Sequence, residues 1–344
     1  MFQDINVEQM RELARKKELV PIDVRSPAEY RDSSIPGSLN IPLFDDAERA
    51  EVGTIYTQVS SQAAKERGLE LVSAKLPAFI KAFSEIREAK TVFCWRGGMR
   101  SKTTATLLSL MDIHVYRLSG GYREYRRWVV ETLGKLEPPA HTYVIMGNTG
   151  VGKTAILRSL EEEGYPVVDL ERMAGHRGSI FGEVGLKAHN QKTFDSLLVE
   201  RLEQLKPSSW MLLEGESKRI GKIVLPDFLI RGKEAGIPLF IELPMEERVR
   251  TIMEDYRPWE HKEALLQAYR LIKERIHTPI AKEIEGLLKD NQFPAAIMML
   301  LEHYYDPRYE HAIDQYEGEM AVIRAGTVAE ALQEVKDFLR KKVW

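Results

Sequence analysis

One cysteine in 344 residues, Cys94, excludes an intrachain disulfide and any thiol-rich metal site. Long apolar runs are missing too, so no membrane-spanning helix is expected. The opening residues, MFQDINVEQMRELARKK, lack the apolar core of a cleavable signal. They read as an amphipathic helix with Asn6 and Gln9 at capping-box positions. Nor is there an excess of one charge: 49 Lys and Arg against 52 Asp and Glu leave a net charge of −3. Any contact with a nucleic acid must therefore come from a local basic patch. Internal repeats and low-complexity tracts are absent. What remains is a globular composition, 44% hydrophobic and 29% charged, in a chain long enough for two cores. A reducing, cytoplasmic setting and no membrane association are the expectations.

Along residues 1–133, helical and strand-like patterns alternate. Residues 19–26 (LVPIDVRS) and 91–95 (TVFCW) read as short buried strands that end at polar loops. Residues 101–112 read as a helix and 114–121 as a further strand, which together make a small α/β domain with a mostly parallel sheet. GKLEPPAH, residues 134–141, combines glycine, two prolines and charge and is the best boundary in the chain. The expected organisation is an α/β domain over 1–136, a linker at 137–141 and a second α/β domain over 142–344. Strands are expected in that second domain near 165–170, 209–216, 237–244 and 320–326, with long charged helices over 245–290.

The second domain opens on a strand, then GNTGVGKT, then a helix. Gly147, Asn148, Thr149, Gly150, Val151, Gly152, Lys153 and Thr154 match G-x-x-x-x-G-K-[ST] without a deviation. The glycines let amides turn inward around phosphate oxygens, Lys153 adds a point charge, Thr154 can bind Mg²⁺, and the helix N-terminus favours an anion. No tightly bound cofactor is implied. A nucleotide hydrolase normally ends a nearby strand with an Asp that orients the metal. Here the strand ends MLLEGES, which offers Glu214 and Glu216. No residue is identifiable as the one that positions an attacking water, so the loop argues for binding a diphosphate more strongly than for hydrolysing a triphosphate.

Cys94 lies between an apolar strand and a helix expected to open near Ser101. Gly97 and Gly98 allow a tight curl, and Arg96 and Arg100 with the loop amides could stabilise a thiolate, a persulfide or a bound anion. A merely buried thiol would not need that loop. Two chemistries use such a cradle: sulfur transfer through a persulfide on the cysteine, and phosphate-ester hydrolysis, since Cys94 to Arg100 has the C-x5-R spacing. Taken alone the loops leave open a sulfurtransferase coupled to a nucleotide-binding P-loop, or a phosphatase fused to a kinase-like domain.

PIDVRSPAEY (21–30), IPGSLNIPL (35–43), the cysteine loop and LSGGYREYRRW (118–128) resemble a rhodanese domain. The chain departs from that pattern at Ser34, where rhodaneses usually carry a His, and in a loop one residue longer than most. Joined to a P-loop domain, these motifs resemble the tRNA 2-selenouridine synthase family over nearly the full length. DDAERAEVGTIYTQ (45–58), DLERMAGHRGSIFG (169–182), LEGESKRIGKIVLP (213–226) and YYDPRY (304–309) carry the likeness further. The resemblance implies a rhodanese-like α/β domain followed by a P-loop NTPase-like α/β domain. It also implies conversion of wobble 2-thiouridine in tRNA to 2-selenouridine, with geranyl diphosphate and selenophosphate as co-substrates and an S-geranylated intermediate. The implied partner is the anticodon region of a tRNA, with a selenophosphate synthase as supplier of selenophosphate. Cys94 becomes the residue that carries or delivers selenium, and the P-loop the site of the diphosphate.

Further candidates flank these two loops. His176, Arg177 and Ser179, between glycines, read either as a surface turn or as a loop closing over the diphosphate or the uridine, and the resemblance favours the second. Residues 217–233 hold Lys218, Arg219, Lys222, Arg231 and Lys233 against one acid, Asp227. They form either a solvated face or a tRNA phosphate patch, while Ser217 and Arg219 also follow the Glu214 strand closely enough to face the active site. Arg248, Arg250 and Arg257 lie where kinase-like P-loop proteins place arginines that close on phosphates, and read at least as well as ordinary helix-surface charge. For the YYDPRY segment the sequence offers only packing or base stacking by Tyr304 or Tyr305.

Overall fold

A computed structural model describes residues 2–308 and 320–343; Tyr309 of the YYDPRY segment and Trp344 lie outside them. The chain folds as two compact units, Met1–Lys135 with Asp195–Leu197, and Leu136–Phe194 with Leu198–Trp344. No helix among the described residues is long and apolar enough to cross a membrane.

The first unit runs β1 (Gln3–Ile5), α1 (Val7–Arg15), β2 (Leu19–Asp23), α2 (Pro27–Asp32), β3 (Leu39–Asn40), α3 (Asp46–Gln58) and α4 (Ser61–Ser84). It continues with β4 (Ala89–Phe93), α5 (Met99–Leu110), β5 (Val115–Leu118) and α6 (Gly121–Leu133). Asn6 and Gln9 form the expected capping box, each side chain accepting from the other's amide, at 2.8 and 3.0 Å. That cap stops the helix at Val7, so residues 3–5 pair with β5 as an edge strand instead of extending the helix. The sheet order is β1-β5-β4-β2-β3, parallel throughout. Its core strands are nearly continuous apolar runs, as two-sided burial demands, with Ile22, Val92 and Phe93 fully buried. All parallel strands deliver their loops to one edge, and β2 and β4, paired from Leu19↔Ala89 to Asp23↔Phe93, bring Asp23 and Cys94 there together.

The second unit begins with β6 (His141–Gly147), α7 (Lys153–Glu162), β7 (Val167–Val168), α8 (Leu170–Ala174), α9 (Gln191–Leu205) and β8 (Trp210–Glu214). A two-rung antiparallel ribbon, β9 (Arg219–Ile220) with β10 (Ile223–Val224), precedes α10 (Asp227–Glu234) and β11 (Ile237–Glu242). After α11 (Met245–Tyr256), α12 (Lys262–Arg270), α13 (Thr278–Lys289) and α14 (Phe293–Leu300) come β12 (Ala321–Arg324) and α15 (Val328–Val343). The parallel sheet has the order β12-β11-β6-β8-β7, which puts the phosphate loop at the end of the central strand. Helices α11 to α14 build a separate apolar core around Tyr269, Ile272, Ile284 and Leu301.

Gly121 shows how tightly the first unit's loops are fitted. Its φ is +62°, and a Cβ there would lie 2.2 Å from the Cys94 carbonyl oxygen and 2.4 Å from the Gly97 nitrogen. Replacing it by Ala adds both a backbone penalty and a clash with backbone that cannot yield. We expect Gly121→Ala to destabilise the first unit by about 3 kcal/mol, measured by denaturant unfolding. Gly286→Ala is the control: this glycine lies in α13 with nothing within 4 Å of a Cβ, and the change should be neutral or slightly stabilising.

Candidate functional site

The phosphate loop curls between β6 and α7 and forms one wall of a cavity of about 370 Å³. Lys153 Nζ donates to the Gly147 carbonyl at 3.2 Å, which holds the ammonium over the loop. Thr154 donates its hydroxyl to Glu171 Oε2 at 3.1 Å. Glu171 and Glu216 line the same cavity, opposite the loop. Burial, and then the nearby charge of Glu216, push the Glu171 carboxyl up to about 8. It is thus a group whose charge depends on what cation or proton joins it.

Glu214 has a different place. It is 1% exposed, its Oε1 accepts the Glu171 amide at 2.6 Å, and Oε2 has no partner. Burial and the neighbouring Asp169 and Glu171 push its carboxyl well above the usual range. Asp169 caps α8 by accepting from the Arg172 amide at 2.8 Å. Glu214 therefore supports the start of α8 and does not reach the cavity; the carboxylates that do are Glu171 and Glu216. Glu171 was not singled out in the sequence, because its approach to Thr154 depends on α8 following β7 at the sheet edge.

The 176–179 loop divides in the same way. His176 is buried, Nδ1 accepting from the Gly178 amide at 3.1 Å, and burial lowers its pKa. It is a packing residue. Arg177 and Ser179 do line the cavity. Arg177 donates to the carbonyls of Val184 and Asp255, both at 2.7 Å, and lies 4.6 Å from the centre of the Tyr256 ring. Ser179 and Tyr256 share a hydroxyl hydrogen bond of 3.3 Å, and burial pushes the Tyr256 phenol up to about 12. Gly178, φ +66°, lets the backbone approach the acids: a Cβ would lie 2.3 Å from Glu216 Oε2.

Arg248 is buried and not surface charge. Its guanidinium holds Asp306 through two hydrogen bonds of 2.9 and 2.6 Å and donates from Nε to the Thr149 carbonyl at 2.9 Å. Asn148 adds a 3.3 Å bond to Asp306. The YYDPRY segment thus grips the phosphate loop, and Tyr304, Tyr305 and Arg308 line the cavity beside it.

The basic segment is not one patch. Lys218, Arg219 and Lys222 are exposed. Arg231 pairs with Glu137 at 2.7 Å, and Lys233 turns inward to donate to the Glu216 carbonyl at 2.6 Å. Ser217 Oγ donates to the Arg219 carbonyl at 2.6 Å, and neither residue lines the cavity.

In the first unit Cys94 is 3% exposed beneath its loop, with Sγ 3.2 Å from Ser101 Oγ. Helix α5 starts at Met99, two residues earlier than expected, which aims its N-terminal amides at the loop. The amides of residues 95–100 find no protein acceptor among the described residues. Arg100 turns to Glu29 and makes a bidentate pair, and Arg96 is exposed and joins no ion pair among the described residues. The loop amides, unlike the paired Arg100, are donors left without an acceptor beside the thiol among the described residues. Beneath the loop the amides of Tyr122 and Arg123 donate to the carbonyls of Cys94 and Trp95 at 2.8 and 2.9 Å. Asp23, fully buried, accepts from Arg25 and, at 2.7 Å, from Ser34, so the serine at the usual histidine position is part of the scaffold. Arg117, which the sequence did not flag, donates to the Gly97 carbonyl at 3.2 Å.

Residues 140–343 match the family described as the tRNA 2-selenouridine synthase AAA domain, and residues 6–127 match the rhodanese-like domain. The tRNA 2-selenouridine synthase of Nitrosomonas europaea is 35% identical over 68% of this chain and 63% of its own length. The protein of that name from Shewanella piezotolerans is 32% identical over 86% of this chain and 88% of its own, and that from Bordetella petrii 31% identical over 92% of each. The match thus spans less than two thirds of the Nitrosomonas protein and nearly all of the other two. With one family pattern covering more than half the chain and a second covering most of the rest, this chain belongs to the tRNA 2-selenouridine synthase family.

Proposed function

We propose that this protein replaces the sulfur of 2-thiouridine in tRNA by selenium, through an S-geranylated base. In the first stage the P-loop cavity binds geranyl diphosphate. The thiocarbonyl sulfur bonds to the first carbon of the geranyl group, the carbon–oxygen bond breaks with its electron pair going to diphosphate, and the uracil N3 proton leaves. In the second stage selenium from selenophosphate bonds to C2 of the base and geranyl thiolate departs with the C2–S electron pair. Water cleaves the selenium–phosphorus bond and leaves phosphate. Selenium enters and leaves at the selenide level, so no oxidant is needed. Alkylation makes sulfur a better leaving group, which is why the two stages belong on one chain.

The observation that carries this reading is a cavity walled by a phosphate loop, and a glycine loop with unpaired amides over a buried thiol, in a single chain of this family. Lys153 and the loop amides would hold the diphosphate and stabilise it as it leaves. Thr154, Glu171 and Glu216 suit a Mg²⁺ ion: one hydroxyl and two carboxylates face the cavity, and phosphate oxygens complete the shell. Such an ion would supply charge neutralisation of the leaving diphosphate. Selenophosphate would sit under the amides of residues 95–100, with the Cys94 thiol beside it positioning the selenium for its direct attack on C2. The exposed Lys218, Arg219 and Lys222 would contact tRNA phosphates.

Given thiolated tRNA, geranyl diphosphate and selenophosphate, the purified protein should yield both geranylated and selenated nucleosides by mass spectrometry; neither product appearing would overturn the reading. Lys153→Ala should slow geranylation roughly 100-fold, as loss of one preorganised charge contact does, and undiminished geranylated tRNA would remove the P-loop from the reaction. Cys94→Ser should leave geranylation intact while selenouridine disappears. Asp306→Ala strands the buried Arg248; we expect a loss of about 3 kcal/mol of stability and a raised KM for geranyl diphosphate, read by thermal unfolding and steady-state kinetics.

A further inference from the structure

Beside the phosphate cavity lies a second, smaller one of about 50 Å³. Four residues, Thr149, Ile252, Tyr256 and Tyr305, line both. They mark a shared mouth. Beyond it the walls are hydrocarbon and aromatic ring: Phe181, Leu265, Leu288, Phe293, Ile297 and Leu300 among them. Most of these belong to the buried core of α11 to α14. Protein cores pack to crystal density, and an apolar void that opens onto a polar ligand cavity is unusual unless something fills it.

The chain around the mouth is itself irregular. Leu301–Tyr305 forms a π-helical turn, a feature that recurs at functional sites. It places Leu301 on the slot and Tyr304 and Tyr305 on the phosphate cavity. The next residue, Asp306, is the one that Arg248 binds. One helical segment therefore walls the slot and anchors the phosphate loop.

A ligand that spans both spaces needs an anionic head and an apolar tail. A nucleoside does not fit this description, because its base and sugar need hydrogen-bonding partners that the slot's walls do not offer. We infer that the slot between α11, α13 and α14 receives the hydrocarbon tail of the allylic diphosphate, and that its small volume restricts the enzyme to short prenyl chains. This inference rests on the proposed binding of geranyl diphosphate at the P-loop. The tail points inward past Tyr256 and Tyr305, which leaves the reacting carbon at the mouth, between the slot and the diphosphate. Phe293 and Ile297 are then specificity-determining residues: bulk there shortens the slot and loss of bulk lengthens it.

Calorimetry on the full chain with inorganic pyrophosphate, geranyl diphosphate and farnesyl diphosphate tests this. The wild-type protein should bind geranyl diphosphate at least roughly tenfold tighter than pyrophosphate, since even one methylene in an apolar pocket is worth that much. Ile297→Trp should bring geranyl diphosphate down to the affinity of pyrophosphate, with pyrophosphate binding unchanged. Phe293→Ala should raise the farnesyl-to-geranyl affinity ratio by roughly tenfold or more, a gain that a misfolded variant cannot produce. Both ratios staying at their wild-type values in both variants would overturn the slot assignment. If wild-type protein binds pyrophosphate and gains nothing from a geranyl tail, the slot assignment falls while the P-loop keeps its diphosphate. If it binds neither, the reading of the P-loop falls as well.

Discussion

A guanidinium taken out of water destabilises the fold unless it is paired, and Arg248 meets that demand with three hydrogen bonds, to Asp306 and the Thr149 carbonyl, that hold the phosphate loop in place. Asp306 takes the fork of the guanidinium, and the Thr149 carbonyl takes Nε. Because the pair is buried, neither side chain can let go cheaply. The phosphate loop, the helix that begins at Met245 and the YYDPRY segment thereby become one rigid piece. A loop meant to present amides to a phosphate has few internal hydrogen bonds of its own, so its shape must be imposed from outside. Arg248 and Asp306 impose it.

The first unit solves the same problem mainly with backbone, although Arg117 also donates to the Gly97 carbonyl of its loop. Its cradle of amides is held by hydrogen bonds from α6 to the carbonyls of Cys94 and Trp95, and by the absence of a side chain at Gly121. Arginine charge is spent mainly elsewhere: Arg100 on Glu29, Arg25 on Asp23, Arg117 on Asp4. An anion entering the loop would meet directional donors over a buried sulfur, which suits a small oxyanion better than a general electrostatic patch would.

Acid chemistry in the second unit follows from depth. Burial raises the carboxyls of Glu214, Asp169 and Glu171, and nearby acids add to it: Asp169 and Glu171 at Glu214, Glu216 at Glu171, Glu161 at Asp169. The deepest, Glu214, supports the start of α8, and Glu171 and Glu216 stand at the cavity wall. Two glutamates two residues apart in sequence thus do different work, because adjacent residues at a strand end face different surroundings.

Both loops, the three inner strands of the first sheet and the five strands of the second were legible in the sequence, since each rests on local requirements: glycine where a loop must curl, apolar runs where a strand is buried on both faces. The family likeness was legible for the same reason. The short edge strands Gln3–Ile5 and Leu39–Asn40 were not, because their pairing and not their composition makes them strands. The roles of Glu171, Arg248 and Asp306 were not, nor was the inward turn of Lys233. Each depends on contacts between elements far apart in the chain, Arg248 with Asp306 and Thr149 being the widest case. The sequence by itself determined which residues could hold an anion, because loop chemistry is local. Only the tertiary structure decided which carboxylates reach the cavity, which arginines are already paired, and that an apolar slot adjoins the phosphate site, because burial and partnership are properties of packed surfaces and not of spacing.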